Sequence, residues 1–324
     1  MPSSTLSLGE PVGITGAKQK LANFETEEGR TAALDGTFRP RQTDVFVVTS
    51  PKCGTTWTQQ VVHALRSRGD ENFQEISQAV PWIELANDLN QNLDEDHAFE
   101  PRCFKTHCWH THCPKGGKYI YVARHPHAVG PSFYRFLGGW FFDTKDVSME
   151  EFLHHFWLNR GEPTSLMENA SYWHHLASWW PRRHDDDVLW LHYEDMRQDL
   201  RACIKRVAAF MGVDASDETL VDLACERSSE AYMREKAHLF DENLTRRFRN
   251  DACGLPFEAG GVKITQSGER ERLPAELVDA VDARWRDVVL PVSGCATYEE
   301  LRRTFWNERV LGRGDDGVPE TFLK

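Results

Sequence analysis

The sequence predicts an α/β protein: a central parallel sheet flanked by helices, carrying a P-loop-like strand–loop–helix that binds phosphate. Three observations predict it. Val45-Phe46-Val47-Val48 is a continuous apolar run rich in β-branched residues, the pattern of a strand covered on both faces. Similar runs recur at 118–123 and 188–191, each followed by a segment of helical period, and such alternation implies parallel strands wrapped on both sides. The first run breaks at Ser50-Pro51 and turns through Gly54 into a helical segment.

Residues 1–42 are polar with weak periodicity and are expected to form an N-terminal arm, followed by a single domain over 43–310 and a tail over 311–324. After the first strand a helix is expected from about Thr56 to Arg68, then strands at 102–107 and 118–123. The next helix should run from about Pro126 to Phe136, kinked at Pro131. In 169–180, Tyr172, Trp173, Leu176, Trp179 and Trp180 share one broad stripe, which reads as a core face. A strand at 188–191 precedes a helix expected over Glu194–Met211, and the chain beyond Ser216 reads as helical to about Lys236. Asp241 to Arg272 is rich in Gly and charge, the composition of a long loop that serves as a lid or binding segment.

The chain has 324 residues, enough to bury a core without a disulfide or metal staple. Its net charge of −12 and pI of about 5.6 argue against nucleic acid or an anionic membrane as partner, so an anionic ligand needs a local basic pocket. No apolar run approaches the roughly 20 residues of a membrane span, and the N-terminal stretch lacks the blocks of a secretory signal. The eight cysteines show no framework spacing and are expected to be reduced thiols in a cytoplasmic protein.

The segment Pro51-Lys52-Cys53-Gly54-Thr55-Thr56-Trp57 carries the chemistry of an oxyanion cradle. N–H groups at a helix start have no internal acceptor, and the helix dipole favours negative charge there. Gly54 admits close approach of backbone to ligand, Thr55 and Thr56 add hydroxyl donors, and Lys52 adds a point charge. A Walker A loop places its lysine after the last glycine, whereas Lys52 precedes Gly54. A cysteine-phosphatase loop would need arginine where Gln59 stands. Cys53, at a helix start, is expected to have a lowered thiol pKa and to be open to alkylation, while serine should serve equally well there.

These residues resemble the 5′-phosphosulfate loop of the cytosolic-type sulfotransferases, in which Ser or Ala is commoner at the position of Cys53. The resemblance implies that Lys52 meets the phosphosulfate, that Gly54, Thr55 and Thr56 hold the 5′-phosphate, and that Trp57 stacks on adenine. The implied donor is 3′-phosphoadenosine-5′-phosphosulfate (PAPS), with adenosine-3′,5′-bisphosphate (PAP) as product and no metal. Tyr119 to Pro126 and Ser132-Phe133-Tyr134 resemble the family's 3′-phosphate segment, with Arg124 and Ser132 eight positions apart as its arginine and serine. Arginine suits that task because its rigid fork donates two parallel bonds to phosphate oxygens.

Lys105 and His107 fall two apart on an expected strand, so their side chains share a face. The family's Lys-[ST]-His segment maps here, which implies His107 as catalytic base with Lys105 beside it; neutral imidazole accepts a proton near neutral pH. Tyr193, in Tyr193-Glu194-Asp195, resembles the family's nucleoside contact, and Ser228 stands where a threonine is usual. In the closing segment over the 3′-phosphate only Lys263 and Gly268 fit, and the family's dimer motif is not recognisable, which leaves oligomeric state open. Val80-Pro81-Trp82-Ile83-Glu84 resembles a segment at the acceptor mouth, implying Pro81, Trp82 and Glu84 as acceptor contacts, with Phe136, Trp140, Phe141 and Phe142 as further walls. The acceptor is expected to be a small molecule. The dense run His107 to Cys113 is read as pocket-rim side chains rather than a metal site, since no second cluster has matching spacing. A P-loop kinase and a non-catalytic nucleotide-binding protein on the same fold stand as alternatives.

Overall fold

The computed structural model describes residues 13–16, 18, 38–138, 141–164, 168–242, 244 and 272–313. β1 (Val45–Val48) is fully buried along its length, as its unbroken apolar run requires. It feeds α1 (Thr55–Ser67), which is followed by the single turn α2 (Ile76–Ala79) and a 3₁₀ segment, Ile83–Leu89. β2 (Cys103–Thr106) and β3 (Lys118–Ala123) come next, then α3 (Pro126–Leu137), with Pro131 accommodated inside it. α4 (Met149–Phe152) starts on a Ser148–Glu151 capping box and widens into a π turn, Leu153–Trp157.

α5 (Tyr172–Trp179) begins later than expected because the Ser171 side chain accepts from the His174 N–H and caps it there. β4 (Val188–His192) leads directly into α6 (Tyr193–Gln198) and α7 (Leu200–Met211), where the sequence suggested one helix. Asp199 leaves the helical backbone, with φ −146° and ψ 82°, and accepts from Ala202 N–H to start α7. The stretch beyond Ser216 is also divided, into α8 (Glu218–Arg227) and α9 (Glu230–Glu235), the second capped by Ser229. α10 (Ala275–Val288), α11 (Leu290–Ser293) and α12 (Tyr298–Arg313), which the sequence reading did not anticipate, complete the described chain.

The four strands are parallel in the order β2-β1-β3-β4. From β1 the chain passes to one side for β2 and crosses to the other for β3, so the crevice beyond the carboxyl ends of β1 and β3 is the switch point where such sheets bind ligands. The core is rich in rings. Trp190 of β4 stacks on Tyr121 of β3 at 4.2 Å, Trp179 and Trp180 of the expected stripe pack beside them, and Trp173 and Leu176 are buried as well. Phe38 packs on Phe46 and Phe104, which ties part of the N-terminal stretch to the sheet. At the bottom of the sheet Arg102 and Asp44, both fully buried, make two parallel bonds at 2.8 and 2.5 Å, joining the starts of β2 and β1.

Candidate active site

The loop after β1 folds back on itself through two left-handed residues, Lys52 with φ 72° and Gly54 with φ 105°. A lysine rarely adopts that backbone, and such placements concentrate at functional sites. At Gly54 a Cβ would lie 2.9 Å from Cδ2 of Tyr193, so neither the backbone nor the neighbouring ring leaves room for a side chain. Gly54 caps α1 without a side-chain hydrogen bond, and the first N–H groups of a helix have no intrahelical acceptor. The hydroxyls of Thr49 and Thr55 lie 2.6 Å apart, and Lys52 Nζ sits 4.2 Å from the centroid of the Phe136 ring.

Arg124 follows β3 directly and is only 7% exposed. Its Nη1 donates to the Lys52 carbonyl oxygen at 2.6 Å, and its guanidinium lies 4.4 Å over the Tyr193 ring. Its own carbonyl accepts from the Tyr172 hydroxyl at 2.6 Å. Arg124 Nε is buried and has no hydrogen-bond partner among the described residues. Beside this pair, Trp57 Nε1 donates to the Ser228 carbonyl oxygen at 2.7 Å and meets the Tyr193 ring edge-on at 5.5 Å. Ser228 is fully buried, and its hydroxyl likewise lacks a partner among the described residues. The break between α8 and α9 is therefore what delivers Ser228 to the first turn of α1.

His107 lies just beyond β2. Its Nδ1 is 2.8 Å from the Thr49 carbonyl oxygen, and a carbonyl can only accept, so Nδ1 carries the proton and Nε2 the lone pair. The His107 N–H donates to Glu84 Oε1 at 2.7 Å. Burial first, and the Lys105 ammonium second, hold the imidazole pKa well below its ordinary value. Lys105 is 1% exposed, with Nζ 3.9 Å above the Trp82 ring and paired with the Glu242 carboxylate. The edge of the His107 ring meets the same Trp82 at 5.2 Å, so the strand alternation does place both side chains against one wall.

A family model described as the sulfotransferase domain matches residues 42–266. The chain belongs to the sulfotransferase family. It is 29% identical to the amine sulfotransferase of Oryctolagus cuniculus over 186 residues, 56% of this chain and 60% of that relative's length, which is less than two thirds. It is 31% identical to sulfotransferase 2A1 of Homo sapiens over 203 residues, 60% of this chain and 68% of the other. Retinol dehydratase, solved in complex with androsterone and inactive cofactor PAP, aligns with a TM-score of 0.59 at 21% identity, covering 81% of this chain and 84% of that one. That likeness shows the shared fold.

In this chain the structure brings Lys52, Gly54, Thr55, Arg124 and Tyr193 together at one end of the sheet, with Trp57 and Ser228 adjoining. Thr56 follows Thr55 in the first turn of α1, and Ser132 is half-buried on α3. His107, Lys105, Pro81, Trp82 and Glu84 form a second group, joined to the first through Thr49; the Lys105 N–H donates to the Pro81 carbonyl oxygen at 2.8 Å. Phe142 is buried against Tyr134 and Phe152, and Phe141 is 2% exposed, so both are packed in the core. Trp140, Lys263 and Gly268 lie outside the described residues, with most of the expected 241–272 loop.

One expectation is overturned. Cys53 is 1% exposed, and burial pushes its thiol up to about 12, against the lowered value expected of a helix start. The side chain turns inward beneath the loop, where desolvation outweighs the attraction of Arg124 and Lys52. The histidine and cysteine run does not gather: His110 packs on Trp179 and His112 on Trp109, and among the described residues no three His, Cys, Asp or Glu side chains form a metal-binding group. The seven described cysteines are unbridged, and no helix among the described residues is long and apolar enough to cross a membrane. Sequence reasoning missed Thr49, Glu242 and Glu194. Glu242 stands 137 residues from Lys105 in sequence, and no local pattern announces it.

Proposed function

We propose that the protein transfers the sulfuryl group of PAPS to a hydroxyl or amine of a small organic acceptor, by a scheme that calls for no metal. The observation that carries this reading is the 2.6 Å hydrogen bond from Arg124 to the Lys52 carbonyl, which sets an arginine beside an anion cradle at the switch point of the sheet. The residues fit such a donor. Arg124 keeps a buried Nε donor without a partner among the described residues, Gly54 lets the Tyr193 ring close against the loop, and Ser228, with a buried hydroxyl that has no partner among the described residues, adjoins Trp57.

Arg124 and Ser132 would hold the 3′-phosphate, Lys52 to Thr56 the 5′-phosphosulfate, and Trp57, Tyr193 and Ser228 the nucleoside. When bound, PAPS supplies an activated sulfuryl group whose leaving group is PAP. His107 takes the acceptor's proton at Nε2, since Thr49 fixes the proton at Nδ1. Burial keeps the imidazole neutral and ready to accept. The ammonium groups of Lys52 and Lys105 stabilise negative charge growing on sulfuryl and phosphate oxygens. Pro81, Trp82 and Glu84 are assigned to the acceptor pocket, and Lys263 and Gly268 to the donor, on the family pattern, with Phe136 and Trp140 as further walls of the pocket. The similarity to an amine sulfotransferase supports a small acceptor and keeps amines in view. Residues 43–310 are taken as a single domain, and the unbridged cysteines support a cytoplasmic setting.

The test is isothermal titration of PAP, AMP and ATP into the wild type and Arg124→Leu. PAP should bind tightest, and the variant should lose about 10²–10³-fold for PAP while AMP is nearly unchanged. A preference for ATP, or equal losses for PAP and AMP, would overturn the reading.

A further inference from the structure

The peptide unit joining Arg124 to His125 is held at both ends. Its carbonyl accepts from the Tyr172 hydroxyl at 2.6 Å, and its N–H donates to Glu194 Oε1 at 3.0 Å. Fixing both polar groups of one peptide fixes the backbone torsion that aims the Arg124 side chain. The Glu194 carboxylate is itself held: Oε2 accepts from the hydroxyl of Tyr298 at 2.6 Å. Tyr298 opens α12 and is 3% exposed, and its ring meets the His125 ring edge-on at 5.2 Å. The next residue, Glu299, reaches His125 Nε2 at 2.7 Å. Tyr298 and Glu299 both lie beyond residues 42–266 matched by the family model.

We propose that Tyr298 and Glu299 are positioning residues for Arg124, so that the start of α12 sets how well the protein recognises a 3′-phosphate. A bidentate arginine contact is directional, and small misplacement of a rigid fork is costly. Arg124 already spends one N–H on the Lys52 carbonyl, so the aim of its remaining donors depends on where the 124–125 peptide sits. Tyr172 and Glu194 define that position from two sides, and α12 holds Glu194 in place. The inference rests on Arg124 as the 3′-phosphate anchor.

Tyr298→Phe removes one hydroxyl and keeps the ring. Titration of PAP and AMP into this variant should show PAP weakened about tenfold with AMP little changed, because only PAP uses the aimed fork. Loss of folding alone would lower the active fraction and leave the ratio of the two affinities as it was. Glu299→Gln, at an exposed position, should narrow the same ratio by a smaller factor and serves if Tyr298→Phe does not fold. A wild type that prefers PAP, with a ratio unchanged in both variants or with equal losses for the two nucleotides, overturns this inference and leaves the proposed function standing. A wild type with no preference for PAP overturns both.

Discussion

His107 is a base whose orientation is decided by a main-chain atom, not by a second acidic side chain. The Thr49 carbonyl accepts from Nδ1, and the Glu84 carboxylate holds the backbone N–H, so ring and strand end are fixed separately. Burial and Lys105 lower its pKa, and imidazole NMR on the donor-free protein should therefore find it neutral, as the Nδ1–H tautomer, through the whole range where an ordinary histidine titrates. A midpoint near the ordinary value of about 6.5 would contradict the buried geometry. His107→Ala should leave PAP affinity nearly intact and slow turnover by roughly 10²–10⁴. Cys53 makes the opposite point about exposure. With its thiol buried and raised to about 12, the native protein should resist iodoacetamide at this position, and Cys53→Ser should keep its activity. Peptide mapping after alkylation checks the first claim; rapid labelling of Cys53 in folded protein would refute it.

At the scale of elements, whatever was written locally was legible. β1 and β3 were readable because parallel strands buried on both faces leave unbroken apolar runs, and the Lys105–His107 alternation placed two side chains on one wall before any contact was known. The Asp199 break was not legible: an aspartate inside a helical pattern can equally face solvent or cap a new helix, and only packing decides. Nor was the partner of Lys105. Its ammonium is enclosed between the Trp82 ring and the Glu242 carboxylate, a pairing between distant parts of the chain. Removing one partner of a buried pair typically costs about 3–5 kcal/mol, because the remaining charge loses its counterion. Glu242→Gln should accordingly lower the melting temperature of the free protein. PAP should then raise it by more than in the wild type, since a phosphate anion restores the missing negative charge near Lys105. A thermal shift with PAP no larger than that of the wild type would mean that Lys105 does not face the donor.

Across the whole molecule, a net charge of −12 coexists with Lys52 and Arg124 side by side at one end of the sheet, so the basic field is local and the remainder of the surface is free to be acidic. Burial also shapes the response to acid. In the unfolded chain His175 binds a proton below about 6.5, but in the fold burial lowers its pKa to about 3, so the unfolded state holds more protons between those values. Stability is therefore complete above the ordinary histidine range and declines as pH falls through it, with His175 alone accounting for about 2 kcal/mol by about pH 5. His107 and His192, both lowered by burial, act in the same direction. Urea unfolding midpoints should fall steadily on acidification from neutrality, and midpoints that stay level would contradict this. The bond from Arg124 to the Lys52 carbonyl bears on isomers. Because it ends on main chain, the span between arginine and cradle cannot adjust as two flexible side chains would, and the protein behaves as a ruler. Adenosine-2′,5′-bisphosphate has the charge and formula of PAP but a different separation between its phosphates. It should be drawn to the same crevice and still compete poorly there, because a fixed span rejects a ligand of the wrong length whatever its charge.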